Sequence, residues 1–101
     1  MKTLLNLTAV VLFSSLASVS FAGDAAAGKA KSVTCAGCHG TNGISNNPMW
    51  PNLAGQKQAY LASSLQMYRD GRRKNAMMSA MAKNLTDADI ANLAAYYSSL
   101  K

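Results

Sequence analysis

The sequence predicts an all-α domain. Two segments repeat apolar residues at helical spacing, Leu61, Leu65 and Tyr68 in one and Ile90, Leu93, Ala94 and Tyr97 in the other. Gly71 is placed to stop the first and Thr86 to cap the second, and no stretch alternates apolar and polar residues with the period of a strand. Neither repeats nor low-complexity tracts divide the chain after Ala22, so one compact unit is expected.

The elements follow in order. Met1 and Lys2 give a positive start, Leu4 to Ala17 is mostly apolar, and Ser20-Phe21-Ala22 closes in small residues suited to cleavage. Residues 1–22 are therefore expected to be a secretory signal that is removed, leaving a domain over 23–101 in the periplasm with no remaining segment able to span a bilayer. Asp24 suits the N-cap of a helix over Ala25 to Thr34 that runs into the cysteines, and Gly28 within it marks the close approach of another element. Gly40 to Gln56 is rich in Gly, Asn and Pro and lacks periodicity. So long a loop in so small a domain normally has work to do, such as draping over a bound group. A helix follows from Lys57, with Gly71 placed as its stop, and Arg72 to Met78 reads as a connection. Thr86 can cap the last helix, with Asp87 and Asp89 at its positive end.

The chemistry concentrates in Cys35-Ala36-Gly37-Cys38-His39, which holds every cysteine and histidine in the chain. Cys-x-x-Cys followed at once by His is the attachment signature of a c-type haem, in which both thiols add to porphyrin vinyl groups and the imidazole takes the iron. At about 100° per residue, positions 35, 38 and 39 of a helix fall within one narrow arc, so all three side chains meet the same planar ligand. The reading uses both thiols in an oxidising compartment and leaves none free. Other readings are weaker. Zinc needs four protein ligands, and no second pair of Cys or His exists to complete a site. A thiol-disulfide redox motif normally lies near a strand-helix-strand pattern and has no use for the adjacent His. A structural disulfide here would close too short a loop to stabilise much.

With these residues in view, the segment from 23 onward resembles the small bacterial class I cytochromes c, especially one half of the bacterial dihaem cytochromes. The resemblance rests on the helix leading into Cys35-x-x-Cys38-His39, Pro51-Asn-Leu-Ala-Gly-Gln56, Tyr60-Leu61, Gly71-Arg72-Arg73, the methionine cluster, Leu85-Thr86-Asp87-x-Asp89-Ile90 and Tyr96-Tyr97. It implies three main helices and short turns wrapped around one covalently bound haem c, with low-spin iron between His and Met, used for electron transfer. A thioether opposite His favours ferrous iron, so Met suits a carrier. Among the methionines, Met67 sits inside a helix as packing and Met49 follows the haem motif too closely, while Met77, Met78 and Met81 lie beyond the second helix and can reach the opposite haem face. By the family's spacing to the Leu-Thr-Asp segment, the resemblance selects Met78, with Met81 and Met77 as alternatives. It also implies that Pro51 offers its carbonyl to the second ring nitrogen of His39, and that Gly28 and Tyr96 meet where the first and last helices cross. Trp50 suits haem packing.

Charge bears on partners. The chain carries +6; losing Lys2 with residues 1–22 leaves nine Lys and Arg against four Asp and Glu, net +5. Arg69, Arg72, Arg73 and Lys74 crowd ahead of the methionines, either as a docking patch for redox proteins with acidic surfaces or as a solvated turn. Nucleic-acid binding is not expected, because the aromatic residues do not interleave with the basic ones. No apolar stripe adjoins the basic residues to favour a membrane surface.

The expected protein is a monomeric periplasmic monohaem carrier of one electron, without enzymatic activity; the rival is a haem protein whose sixth site opens to a gas or peroxide. Seventy-nine residues bury too little apolar surface for comfortable stability, and the haem would complete the core. Circular dichroism of haem-free residues 23–101 should show no cooperative melt; a cooperative one would refute this dependence.

Overall fold

A computed structural model describes residues 23–101. The segment read as a secretory signal lies outside the described residues. Five helices follow in order: α1 (Ala25–Lys31), α2 (Val33–His39), α3 (Gln58–Arg69), α4 (Ala76–Ala82) and α5 (Asp87–Ser99), and no strand occurs among the described residues. None of these helices is long and apolar enough to cross a membrane.

The Asp24 carboxylate caps α1 by accepting from the N–H groups of Ala26 (2.9 Å) and Ala27 (3.3 Å). The expected unbroken helix from Ala25 to Thr34 is instead two helices, interrupted at buried Ser32. The Ser32 hydroxyl donates back to the Lys29 carbonyl at 2.7 Å, and its N–H bonds the carbonyls of Gly28 and Lys29. Such local side-chain competition for backbone groups weakens a helix interior. The chain restarts as α2, which carries the whole cysteine-histidine motif.

The irregular segment between α2 and α3 folds on itself. The Gly43 carbonyl accepts from Leu53 (2.8 Å) and Ala54 (3.1 Å), and Gly55 N–H reaches the Tyr97 carbonyl in α5 at 2.9 Å. Gly43 has φ +75, and a Cβ there would lie 2.9 Å from the Ala54 nitrogen, so glycine is required on two counts. Helix α3 buries Leu61 and packs Leu65 against the core, then stops at Asp70 and Gly71, the latter at φ +78. The Met67 carbonyl accepts from both Arg72 (2.9 Å) and Arg73 (3.1 Å), which finishes the stop.

The connection expected over Arg72 to Met78 ends at Asn75, and residues 76–82 form α4 with Met77, Met78 and Met81 on it. A helix of two turns is too short to print a periodic pattern in the sequence. Its cap, Asn75, is the local signal that accounts for it.

Helix α5 is the spine. The Thr86 hydroxyl accepts from Asp89 N–H and the Asp89 carboxylate accepts from Thr86 N–H, each at 3.0 Å, a reciprocal capping box. Its predicted apolar face of Ile90, Leu93, Ala94 and Tyr97 is buried, together with Tyr96. Leu93, Ala94, Tyr96 and Tyr97 join Leu61 in the main core cluster, and the two tyrosine rings tilt together at a centroid distance of 5.1 Å. Helices α1 and α3 both pack on α5, and α4 packs on α3. Ile90 and Leu93 are 1 % exposed, each worth about 1.5–3 kcal/mol of burial.

The α1–α5 crossing is at van der Waals limits. A Cβ on Gly28 would fall 2.0 Å from the Asn92 carbonyl oxygen and 2.8 Å from the Tyr96 Cβ. Backbone cannot yield as a side-chain tip can, so Gly28→Ala should destabilise the holoprotein by at least about 2 kcal/mol in urea unfolding. Gly37, which has nothing within 4 Å of its notional Cβ, is the control: Gly37→Ala should be neutral or stabilising by up to about 1 kcal/mol. The capping box gives a pH prediction. The Thr86 N–H, acting first, holds the Asp89 carboxyl below its usual range, with Lys31 at 3.6 Å adding to the effect. A depressed folded pKa contributes stability that is fully present above the unfolded value of about 4 and is lost as pH falls through the folded value. Asp89→Asn should therefore flatten the fall of the unfolding midpoint below about pH 4.

Candidate functional site

Helix α2 carries the motif on a seven-residue scaffold. Cys35 and Cys38 are both half-buried, free thiols, and His39 is 6 % exposed at the end of the helix. Cys35 packs against the core cluster, and burial pushes its thiol above the ordinary range. The buried Tyr97 hydroxyl is pushed up as well, first by burial and then by neighbouring Cys35. Gly40, at φ +86, ends α2 and lets the chain turn away.

The loop then returns to the imidazole. His39 Nδ1 lies 2.8 Å from the Pro51 carbonyl oxygen. A carbonyl only accepts, so Nδ1 carries the proton and donates, leaving the Nε2 lone pair for a metal. Pro51 is held on either side: before it Trp50 N–H donates to the Asn47 carbonyl at 3.0 Å, and after it the Asn52 side chain accepts from Ser45 N–H at 2.7 Å while Leu53 and Ala54 are tied to Gly43. Trp50 is half-buried and lines a small cleft beside Cys38 and Gly37. The donor set is two thiols and one imidazole with its tautomer fixed, and it suits an iron porphyrin attached through sulfur. Among the described residues no further group of His, Cys, Asp or Glu gathers as a metal cage, so zinc lacks its ligands.

The methionines separate by environment. On α4, Met78 is half-buried and lies one turn before Ala82, which is fully buried, so the two share the inward face. Met77 and Met81 share the adjacent stripe and are 54 % and 47 % exposed. Met49 is 81 % exposed, and Met67 is half-buried within α3.

The four basic residues do not form one uniform patch. The Arg69 guanidinium pairs with Asp87 at 2.7 Å and Asp70 at 3.0 Å and donates to the Leu85 carbonyl, tying the end of α3 to the start of α5. Arg72 lies 3.5 Å from Asp70. Arg73 stacks over the Tyr68 ring at 4.7 Å, and its hydrogen bond is the leading cause that lowers the Tyr60 hydroxyl. Lys74 is exposed. Sequence reasoning missed this division because Asp87 lies eighteen residues from Arg69, beyond any local pattern. It also missed Asn75, whose signal was an Asn directly before a run of helix formers.

Comparison with known proteins agrees with this geometry. The cytochrome c family model matches residues 25–101. Cytochrome c-554(548) of Halomonas halodenitrificans is 57 % identical over 81 residues, covering 77 % of this chain and 98 % of that protein. The thiosulfate dehydrogenase electron acceptor of Thiomonas intermedia is 38 % identical over 104 residues, covering all of this chain and 48 % of its own. The crystal structure of reduced recombinant cytochrome c4 from Pseudomonas stutzeri superimposes with a TM-score of 0.75 at 42 % identity, covering 79 % of this chain and 47 % of that one. This chain thus spans nearly all of the first relative and about half of the other two. The chain belongs to the cytochrome c family, as a class I fold similar to one half of the dihaem cytochromes, and the family's covalent haem c has only Cys35 and Cys38 to join.

Proposed function

We propose that this cytochrome carries single electrons in the periplasm, with its iron held between His39 Nε2 and the Met78 sulfur. The observation that carries the reading is the 2.8 Å contact from His39 Nδ1 to the Pro51 carbonyl, which fixes the ring tautomer and aims the second nitrogen's lone pair away from the loop. The bound haem supplies the redox couple, ferrous to ferric by one electron. The protein's part is to hold both axial donors through that change, keep water from the iron and present an edge to partners. Met78 is favoured by the spacing to Leu85 and by its inward face shared with Ala82, whereas Met77 and Met81 project toward solvent. Trp50, beside Cys38, suits packing on the ring.

Docking is assigned to Arg72, Arg73 and Lys74, which remain on the surface next to α4, and an acidic redox protein is the matching partner. Arg69 is withdrawn from that role by Asp70 and Asp87. One relative's name describes an electron acceptor of a dehydrogenase, and a comparable place between a donor and an acceptor is proposed for this chain. Residues 1–22 are assigned to export, which delivers the chain to the compartment where both thiols can be consumed.

Optical spectra test the ligands. Ferric protein should show the weak sulfur-to-iron band at the red edge, and the ferrous protein should resist carbon monoxide. Met78→Ala should abolish the band and admit carbon monoxide, while Met77→Ala and Met81→Ala keep the band. Retention in Met78→Ala with loss in Met81→Ala would reassign the ligand, and ready carbon monoxide binding by the unaltered protein would favour an open sixth site.

A further inference from the structure

We infer that Asn75 is the positioning residue for the Met78 sulfur, an inference that rests on Met78 being the axial ligand. Helix α4 has seven residues, about 10 Å of length, and isolated helices need roughly 12–15 residues to be even marginal in water. Its direction and phase must therefore come from its ends and from what it packs on. At the N-terminal end the Asn75 side-chain oxygen accepts from Met77 N–H at 3.1 Å and from Met78 N–H at 3.0 Å. The bond falls on the backbone of the ligand residue itself. Asn75 is in turn gripped by Ser79: its N–H donates to the Ser79 hydroxyl at 3.3 Å, and its carbonyl accepts from Ser79 N–H at 2.8 Å.

At the other end Ala82, fully buried, anchors the face on which Met78 lies, and its carbonyl accepts from Leu85 N–H at 3.0 Å. Met78 thus stands about one turn from each of two fixed points. Rotation of α4 by one residue, about 100°, would replace it on the inward face with Met77 or Ser79. Met77 would then offer a second thioether as a wrong ligand, and the Asn75 bond opposes that slip by fixing which N–H groups form the first turn.

A cap that only stabilised the fold would leave ligand exchange alone, so exchange is the discriminating measurement. In ferric holoprotein at saturating cyanide, the limiting displacement rate reads departure of the methionine sulfur. Asn75→Ala should raise this rate roughly five- to tenfold, on the scale of a lost N-cap, and Asn75→Asp should restore it because a carboxylate oxygen accepts the same two bonds. Thr86→Ala removes the cap of α5 and should lower the unfolding midpoint comparably without moving the cyanide rate. Should Asn75→Ala fail to accumulate as holoprotein, Ser79→Ala, which removes only the hydroxyl grip, should raise the rate about twofold, on the scale of one hydrogen bond. Wild-type exchange in Asn75→Ala or Ser79→Ala, or failure of Asn75→Asp to restore the rate, would overturn the inference while Met78→Ala still loses the sulfur-to-iron band. If Met78→Ala keeps that band, the ligand assignment falls and this inference falls with it.

Discussion

The crossing of α1 on α5 governs everything else in this small domain. At Gly28 and Asn92 the two helices meet with only a hydrogen atom between backbones, and Tyr96 closes over the same glycine. That contact seats α1 on α5, and Ser32 then ends it so that α2 begins at the next residue and carries the two thiols and the imidazole. A few ångströms of extra bulk at position 28 would shift the scaffold beneath the haem-bearing helix, although no atom of Gly28 need touch the haem. Close packing of this kind transmits displacement because interiors have little free volume to absorb it.

Charge is used twice. Asp87, Asp70 and Arg69 form an internal brace between α3 and α5, with Arg69 the less exposed partner of each pair. Arg72, Arg73 and Lys74 continue the same run of sequence outward, and Arg73 is ordered over Tyr68. One basic segment therefore splits into a structural part and a surface part at Gly71, where the backbone turns through a positive φ. Ordering a cation over an aromatic ring lowers the entropy that a docking partner would otherwise have to remove.

Much of this was legible in the sequence where the signal was local. Thr86, Asp89 and the spacing of Ile90, Leu93, Ala94 and Tyr97 described α5 almost residue by residue, because a capped amphipathic helix writes both its start and its face into the chain. Asp24, Gly28 and Gly71 were equally readable, each a residue type chosen for one backbone task. The break at Ser32 was not, since serine is tolerated in many helices and only burial beside Lys29 shows its hydroxyl turned back on the backbone. Helix α4 was hidden for want of length, and spacing alone could not choose among Met77, Met78 and Met81, which the helix places on different faces. The motif at 35–39 announced its chemistry at once, but the partner of its imidazole lies twelve residues away, across a loop with no periodic pattern.

The carbonyl of Tyr97 holds Gly55 and Leu100 together, so the last turn of α5 closes the segment that carries Pro51. That clamp runs from main chain to main chain, so it outlasts changes of side chain along residues 52–56 and yields only when the last turn of α5 frays.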